Sequence, residues 1–140
     1  MKGYGVAELS VERIGTHEFL GRNDRGAIVR IGRAGADGSF SPGELLQIAT
    51  AGCTAVTTEE LITRRAGDDA RMVATVTHER AEGGREYQRL EVLLRADLDF
   101  LDEDTRRRVI RAMRTAVERQ CTVSRTVERG AQVGLTIVPA

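Results

Sequence analysis

Ser41-Pro42-Gly43-Glu44-Leu45-Leu46-Gln47-Ile48-Ala49-Thr50-Ala51-Gly52-Cys53-Thr54-Ala55 is the stretch on which the reading of this chain turns. Ser41 stands as an N-cap, Pro42 takes the first helical position, and Glu44 three residues after the cap completes a capping-box pattern. The helix so started should run to about Arg65, before Gly67, a length of ~36 Å at the usual rise per residue. Leu45, Leu46, Ile48, Ala49, Ala51, Ala55 and Val56 cover every side of it, so its N-terminal half is expected to be buried all round. Ala49, Ala51, Gly52 and Ala55 would let another backbone come close. A helix of this kind in a chain of 140 residues needs partners on all sides, and a second subunit is the simplest source.

Outward from the helix, strands precede and follow it. Val6 to Ile14 alternates loosely, His17 to Leu20 reads as a short strand, and Ala27 to Gly32 as a third. Asn23-Asp24-Arg25-Gly26 carries strong turn chemistry between the latter two. Beyond the helix, Met72–His78 and Tyr87–Leu98 alternate and read as an antiparallel pair turned at Gly83-Gly84. Asp102 or Asp104 starts a second helix with the apolar stripe Val109, Ile110, Met113, Ala116 and Val117. Its outer face carries Arg106, Arg107, Arg108, Arg111 and Arg114 and reads as solvated. A short helix from Thr122 to Arg129 should end at Gly130, and 131–138 alternates as a closing strand. Strands and helices are segregated along the chain, which predicts one α+β domain over residues 1–140.

Composition narrows the function. Acidic and basic residues balance at 21 each, which argues against a general nucleic-acid binder. No apolar run reaches membrane-spanning length, and no apolar signal region follows Met1-Lys2-Gly3-Tyr4-Gly5, so a cytoplasmic protein is expected. A structural disulfide is not expected in that compartment, which leaves Cys53 and Cys121 as inert core residues or as redox-active ones. Cys53 is shielded in a nearly uncharged helix. Cys121 lies in Arg119-Gln120-Cys121-Thr122-Val123-Ser124-Arg125-Thr126-Val127-Glu128-Arg129-Gly130, flanked by arginines. Positive charge favours the thiolate, the reactive form, so the two together have the layout of a two-cysteine redox centre. His17 and His78 add no close ligand pair to the cysteines, so no metal is expected. Glu59 and Glu60 follow Cys53 by roughly two turns, and Glu60 is expected to pair with Arg64 at i+4.

The Ser-Pro-Gly-Glu-Leu-Leu…Ala-Gly-Cys-Thr-Ala run around Cys53 and the Cys-Thr-Val-Ser-Arg-Thr-Val-Glu-Arg-Gly run from Cys121 resemble the two cysteine signatures of the OsmC/Ohr family. The order and spacing of elements agree over essentially the whole chain. The resemblance implies an OsmC-like fold: an intertwined homodimer whose strands wrap two long, central, cysteine-bearing helices. It also implies a thiol-dependent peroxidase for organic hydroperoxides, with no cofactor beyond an external dithiol reductant such as a lipoylated protein. Cys53 would be the peroxidatic thiol and Cys121 the resolving thiol, joined in a disulfide that the reductant reopens.

In that family an arginine ahead of the cysteine helix holds the thiolate. Arg33 matches the spacing of one branch, Arg22 looks like the arginine of the other, and Arg25 is a third candidate. The sequence departs from the pattern where a glutamate commonly follows the helix-starting proline. Gly43 stands there, and Glu44 sits one residue later, about 100° further round the helix. Glu44 either substitutes for that acid or serves only the capping box. Cys121-Thr122 departs where proline often follows the cysteine. The alternative function is therefore a non-catalytic protein of the same fold that binds a small apolar ligand or senses redox state.

Overall fold

The computed structural model describes residues 8–139. Its contacts gather in two compact units, Met1–Leu46 and Gln47–Ala140.

In the first unit β1 (Ser10–Gly15), β2 (Glu18–Arg22) and β3 (Ile28–Ile31) form an antiparallel sheet in the order β1-β2-β3. His17 lies in the β1–β2 turn with φ 61°, one residue ahead of the strand expected to contain it. The β2–β3 turn follows the predicted chemistry: Asn23 Oδ1 accepts from the N–H groups of Arg25 (2.8 Å) and Ala27 (3.0 Å). Gly21 faces Val29 across the pair, and a Cβ there would come within 2.9 Å of Val29 Cγ1, so a larger residue would force that side chain to shift. Val6 and Ala7, the start of the predicted first strand, lie outside the described residues.

Helix α1 runs Pro42–Ala66, within a residue of the expected bounds. Its start is the predicted capping box: Ser41 N–H donates to Glu44 Oε1 (2.8 Å) and Glu44 N–H to Ser41 Oγ (3.1 Å). Within one chain the helix is buried on one side only. Gln47, Thr50, Ala51, Thr58 and Ile62 are buried, whereas Leu46, Ile48 and Val56 are 42, 45 and 78% exposed. A single chain does not supply enough neighbours to cover a cylinder that is apolar on every side.

The second unit adds β4 (Met72–Arg80) and β5 (Tyr87–Ala96), paired antiparallel from Met72↔Ala96 to Arg80↔Tyr87. Two helices follow, α2 (Glu103–Gln120) and α3 (Thr122–Arg129). Ile62 of α1, Leu98, and Val109 and Met113 of α2 form the core, with Met72, Leu94 and Leu101 packed against it. Asp102 caps α2 by accepting from Thr105 N–H (3.0 Å), and hydrogen bonding from the Thr105 side chain, then from that N–H, holds its carboxyl below the usual aspartate value. Arg106 is not part of a solvated face. Its guanidinium donates to the carbonyls of Leu98, Asp99 and Leu101 and ties the loop before α2 to the helix.

Gln47 anchors the hairpin to α1. Its Nε2 donates to Tyr87 Oη (3.3 Å), and its Oε1 accepts from His78 Nδ1 (2.9 Å), whose ring lies 4.4 Å from that of Tyr87. Gly130 ends α3 in the left-handed region, as predicted. The closing strand is not formed: residues 131–139 are neither helix nor strand, and Val133, Leu135 and Ile137 are more than 80% exposed. An alternating segment becomes a strand only when another edge takes its backbone hydrogen bonds.

Candidate active site

Cys53 sits three turns into α1, too far for that helix's own N-terminus to act on its sulfur. The site is completed from the other end of the unit. α2 stops at Gln120, Cys121 takes an extended conformation (φ −74°, ψ 101°), and α3 begins at Thr122. Cys121 is thus the C-cap of one helix and the N-cap of the next. It is fully buried, whereas Cys53 is half-buried, and both thiols are free.

Burial pushes the Cys53 thiol up, and the hydrogen-bonding groups near its sulfur outweigh that effect: first the Cys121 side chain, then the Val123 backbone, the Thr57 side chain and the Thr122 backbone. The net direction is down from the ordinary cysteine value, toward thiolate. Two of these donors are the first amides of α3, which have no acceptor inside their own helix and carry the positive end of its dipole. Thr57 is one turn beyond Cys53 on α1. The positive influence that the sequence demanded for this thiol is therefore supplied in part by the N-terminus of another helix.

Cys121 meets its neighbours in a definite way. Its N–H donates to Val117 O (3.1 Å), and its Sγ donates to Ser124 Oγ (3.2 Å) one turn into α3. The predicted site residues Cys53 and Cys121 are brought together. Ser124, Thr57 and the amides of Thr122 and Val123 were not singled out from sequence. Thr57 and Ser124 were findable as i+4 and i+3 neighbours of the cysteines. The amides required knowing that a new helix starts at Thr122, directly after Cys121.

The other predicted residues lie in the first unit. Arg22 ends β2, Arg33 sits in the turn closed by Ala36 N–H to Arg33 O (3.1 Å), and both are exposed. Neither forms an ion pair among the described residues. Arg25 is close to Asp24 (3.5 Å). Glu44 Oε1 is engaged by the Ser41 amide, as the capping reading requires. In the second unit Glu60 pairs with Arg64 at 3.1 Å, the expected i+4 contact. Among the described residues no group of three or more His, Cys, Asp or Glu side chains is placed to hold a metal, and no helix is long and apolar enough to cross a membrane.

The family model described as OsmC-like protein matches residues 35–136, a span that includes both cysteines and begins after Arg33. An uncharacterized protein of Mycobacterium tuberculosis is 39% identical over 133 residues, covering 95% of this chain and 97% of its own length. Among solved structures, an OsmC-like protein of unknown function from Vibrio cholerae superposes with TM-score 0.67 at 11% identity, covering 88% of this chain and 94% of its own. A Psychrobacter arcticus protein, proposed to be an osmotic stress induced and detoxification response protein, gives TM-score 0.68 at 19% identity over 90% and 91% of the two chains. At those identities the two structures speak for the fold alone.

Proposed function

From the OsmC-like family, to which this chain belongs, we propose that it is a thiol-dependent peroxidase that reduces organic hydroperoxides by a Cys53–Cys121 disulfide cycle. The observation that carries this reading is the set of donors around Cys53, with Cys121 among them, biased toward thiolate. The Cys53 thiolate attacks the hydroperoxide, breaking the O–O bond to leave Cys53 sulfenic acid and an alkoxide that takes up a proton. Cys121 then condenses with the sulfenic acid, releasing water and forming the disulfide. An external dithiol, such as a lipoylated protein, returns both thiols.

Arg33, then Arg22, is the arginine proposed to complete the site. Neither is committed to an ion pair among the described residues. The exposed apolar side chains Leu46, Ile48 and Val56 on α1, and the unpaired alternating segment from 131 to 138, support a homodimer in which a second copy covers them. Light scattering on the purified protein should give twice the chain mass, and a monomer at micromolar concentration would remove this element. The alternative is a non-catalytic ligand-binding or redox-sensing protein, and one observation favours it: Glu44 is taken up by helix capping. Hydroperoxide turnover with a dithiol decides between the readings. Turnover lost in Cys53→Ser supports the peroxidase, and none in wild type leaves the binding role.

A further inference from the structure

Cys121 is the least accessible reactive group of the site, at 0% exposure, and its chemistry requires it to lose a proton. When its sulfur attacks the Cys53 sulfenic acid, the S–S bond forms and the S–O bond breaks. The departing hydroxide and the thiol proton together make water. A fully buried thiol cannot hand that proton directly to bulk solvent. Among the described residues one oxygen accepts from it: Ser124 Oγ at 3.2 Å. We propose that Ser124 relays the proton of the resolving thiol, an assignment that rests on the disulfide cycle proposed above.

The local geometry argues against a mere helix-capping serine. Ser124 occupies the third position of α3, where a side chain commonly reaches back to the N–H of the N-cap residue. That N–H belongs to Cys121, and it is already spent on Val117 O at 3.1 Å. The Cys121 side chain makes no capping hydrogen bond of its own. The hydroxyl therefore meets the sulfur instead of the backbone. Ser124 is itself only half-buried, so it joins a sealed thiol to the outside.

A hydroxyl both donates and accepts, and this suits two successive steps. In the reduced protein the Cys121 S–H already donates to Ser124 Oγ (3.2 Å), so the acceptor is in place before the peroxide arrives. As the disulfide closes, Ser124 takes the thiol proton and passes its own to the leaving hydroxide or to water, so the hydroxyl ends unchanged.

The test separates closure from peroxide chemistry. 5,5′-Dithiobis(2-nitrobenzoate) at one equivalent labels the more accessible Cys53 and releases one thionitrobenzoate. Attack by Cys121 on the mixed disulfide then releases the second, with loss of the Cys121 proton. In Ser124→Ala the ratio of the second rate to the first should fall on the order of tenfold or more, and added imidazole should restore part of it, as expected for a missing proton relay. Ser124→Thr, which keeps the hydroxyl, should stay within about threefold of wild type. In the wild type, closure should slow about twofold in deuterium oxide. A second phase in Ser124→Ala as fast as in wild type overturns the relay. So does the absence of a solvent isotope effect in wild type, a result that stands even if the variant does not fold. Failure of the peroxidase reading has a different signature: wild type closes the reagent-made mixed disulfide but is inert to hydroperoxide.

Discussion

Removing the Cys121 side chain is the perturbation that probes Cys53 most directly. Of the hydrogen-bonding groups that favour its thiolate, the Cys121 side chain acts most strongly, ahead of the Val123 backbone, the Thr57 side chain and the Thr122 backbone. A hydrogen bond to a charged group contributes roughly 1.5–3 kcal/mol when desolvated, and less at a half-buried sulfur such as this one. With 1.4 kcal/mol equal to a factor of ten, Cys121→Ala should cut the thiolate population, and with it the rate of alkylation by iodoacetamide at mildly acidic pH, by about three- to tenfold. Cys121→Ser keeps an O–H donor in place and should retain most of the wild-type rate, although it cannot form the disulfide. The assay is alkylation of fully reduced protein across a pH series, with ultraviolet absorbance of the thiolate as a check. Because hydrogen bonds draw the thiol's titration downward, wild-type reactivity should persist below the pH at which an ordinary cysteine loses it, and the alanine variant should lose it first. Equal rates in wild type and Cys121→Ala would refute the reasoning, since the largest favourable contact would then do nothing to Cys53.

Thr57→Val should slow the same alkylation by a smaller factor than Cys121→Ala, and a larger effect would reverse the ranking of the donors. Glu44→Gln keeps an acceptor for the Ser41 amide and should leave thermal stability and Cys53 alkylation unchanged, whereas Glu44→Ala should lower the melting temperature; loss of thiol reactivity in Glu44→Gln would give the carboxylate a chemical role. Ile62→Ala removes a fully buried side chain from the core and should cost about 2–5 kcal/mol in denaturant unfolding. Asp102 titrates lower folded than unfolded, so the stability it adds is present above its unfolded value and is lost as the pH falls through its folded value. Asp102→Ala should therefore unfold more readily than wild type near neutral pH, with the gap closing on acidification.

How far the sequence was legible differs between its parts. Capping chemistry is local, and it located α1, α2 and α3 closely: Ser41 with Glu44, Asp102, and Gly130 all behave as their residue types predict. The hairpin of β4 and β5 followed from strict alternation around Gly83. Whatever depends on a neighbour is not decided within one chain. Val133, Leu135 and Ile137 carry a strand pattern but have no partner edge among the described residues, and α1 has more apolar surface than one chain covers. Arg106 looked like one of a solvated arginine row, yet three loop carbonyls claim it, because a loop's unpaired acceptors are invisible in a periodicity count. The settings of the two cysteines left inert and redox-active readings open, and the resemblance of both signatures to one family is what paired them. The amides of Thr122 and Val123 did not stand out, since backbone donors leave no mark in the residue alphabet.

The central claim is that Cys53 and Cys121 form a working redox pair. Fully reduced protein treated with a single equivalent of cumene hydroperoxide, then digested without reductant and weighed by mass spectrometry, tests it most directly. A working pair loses two hydrogens from the intact chain, localised to a peptide linked through Cys53 and Cys121. Thiols left unchanged, or Cys53 carried to sulfinic acid with Cys121 still free, would contradict it.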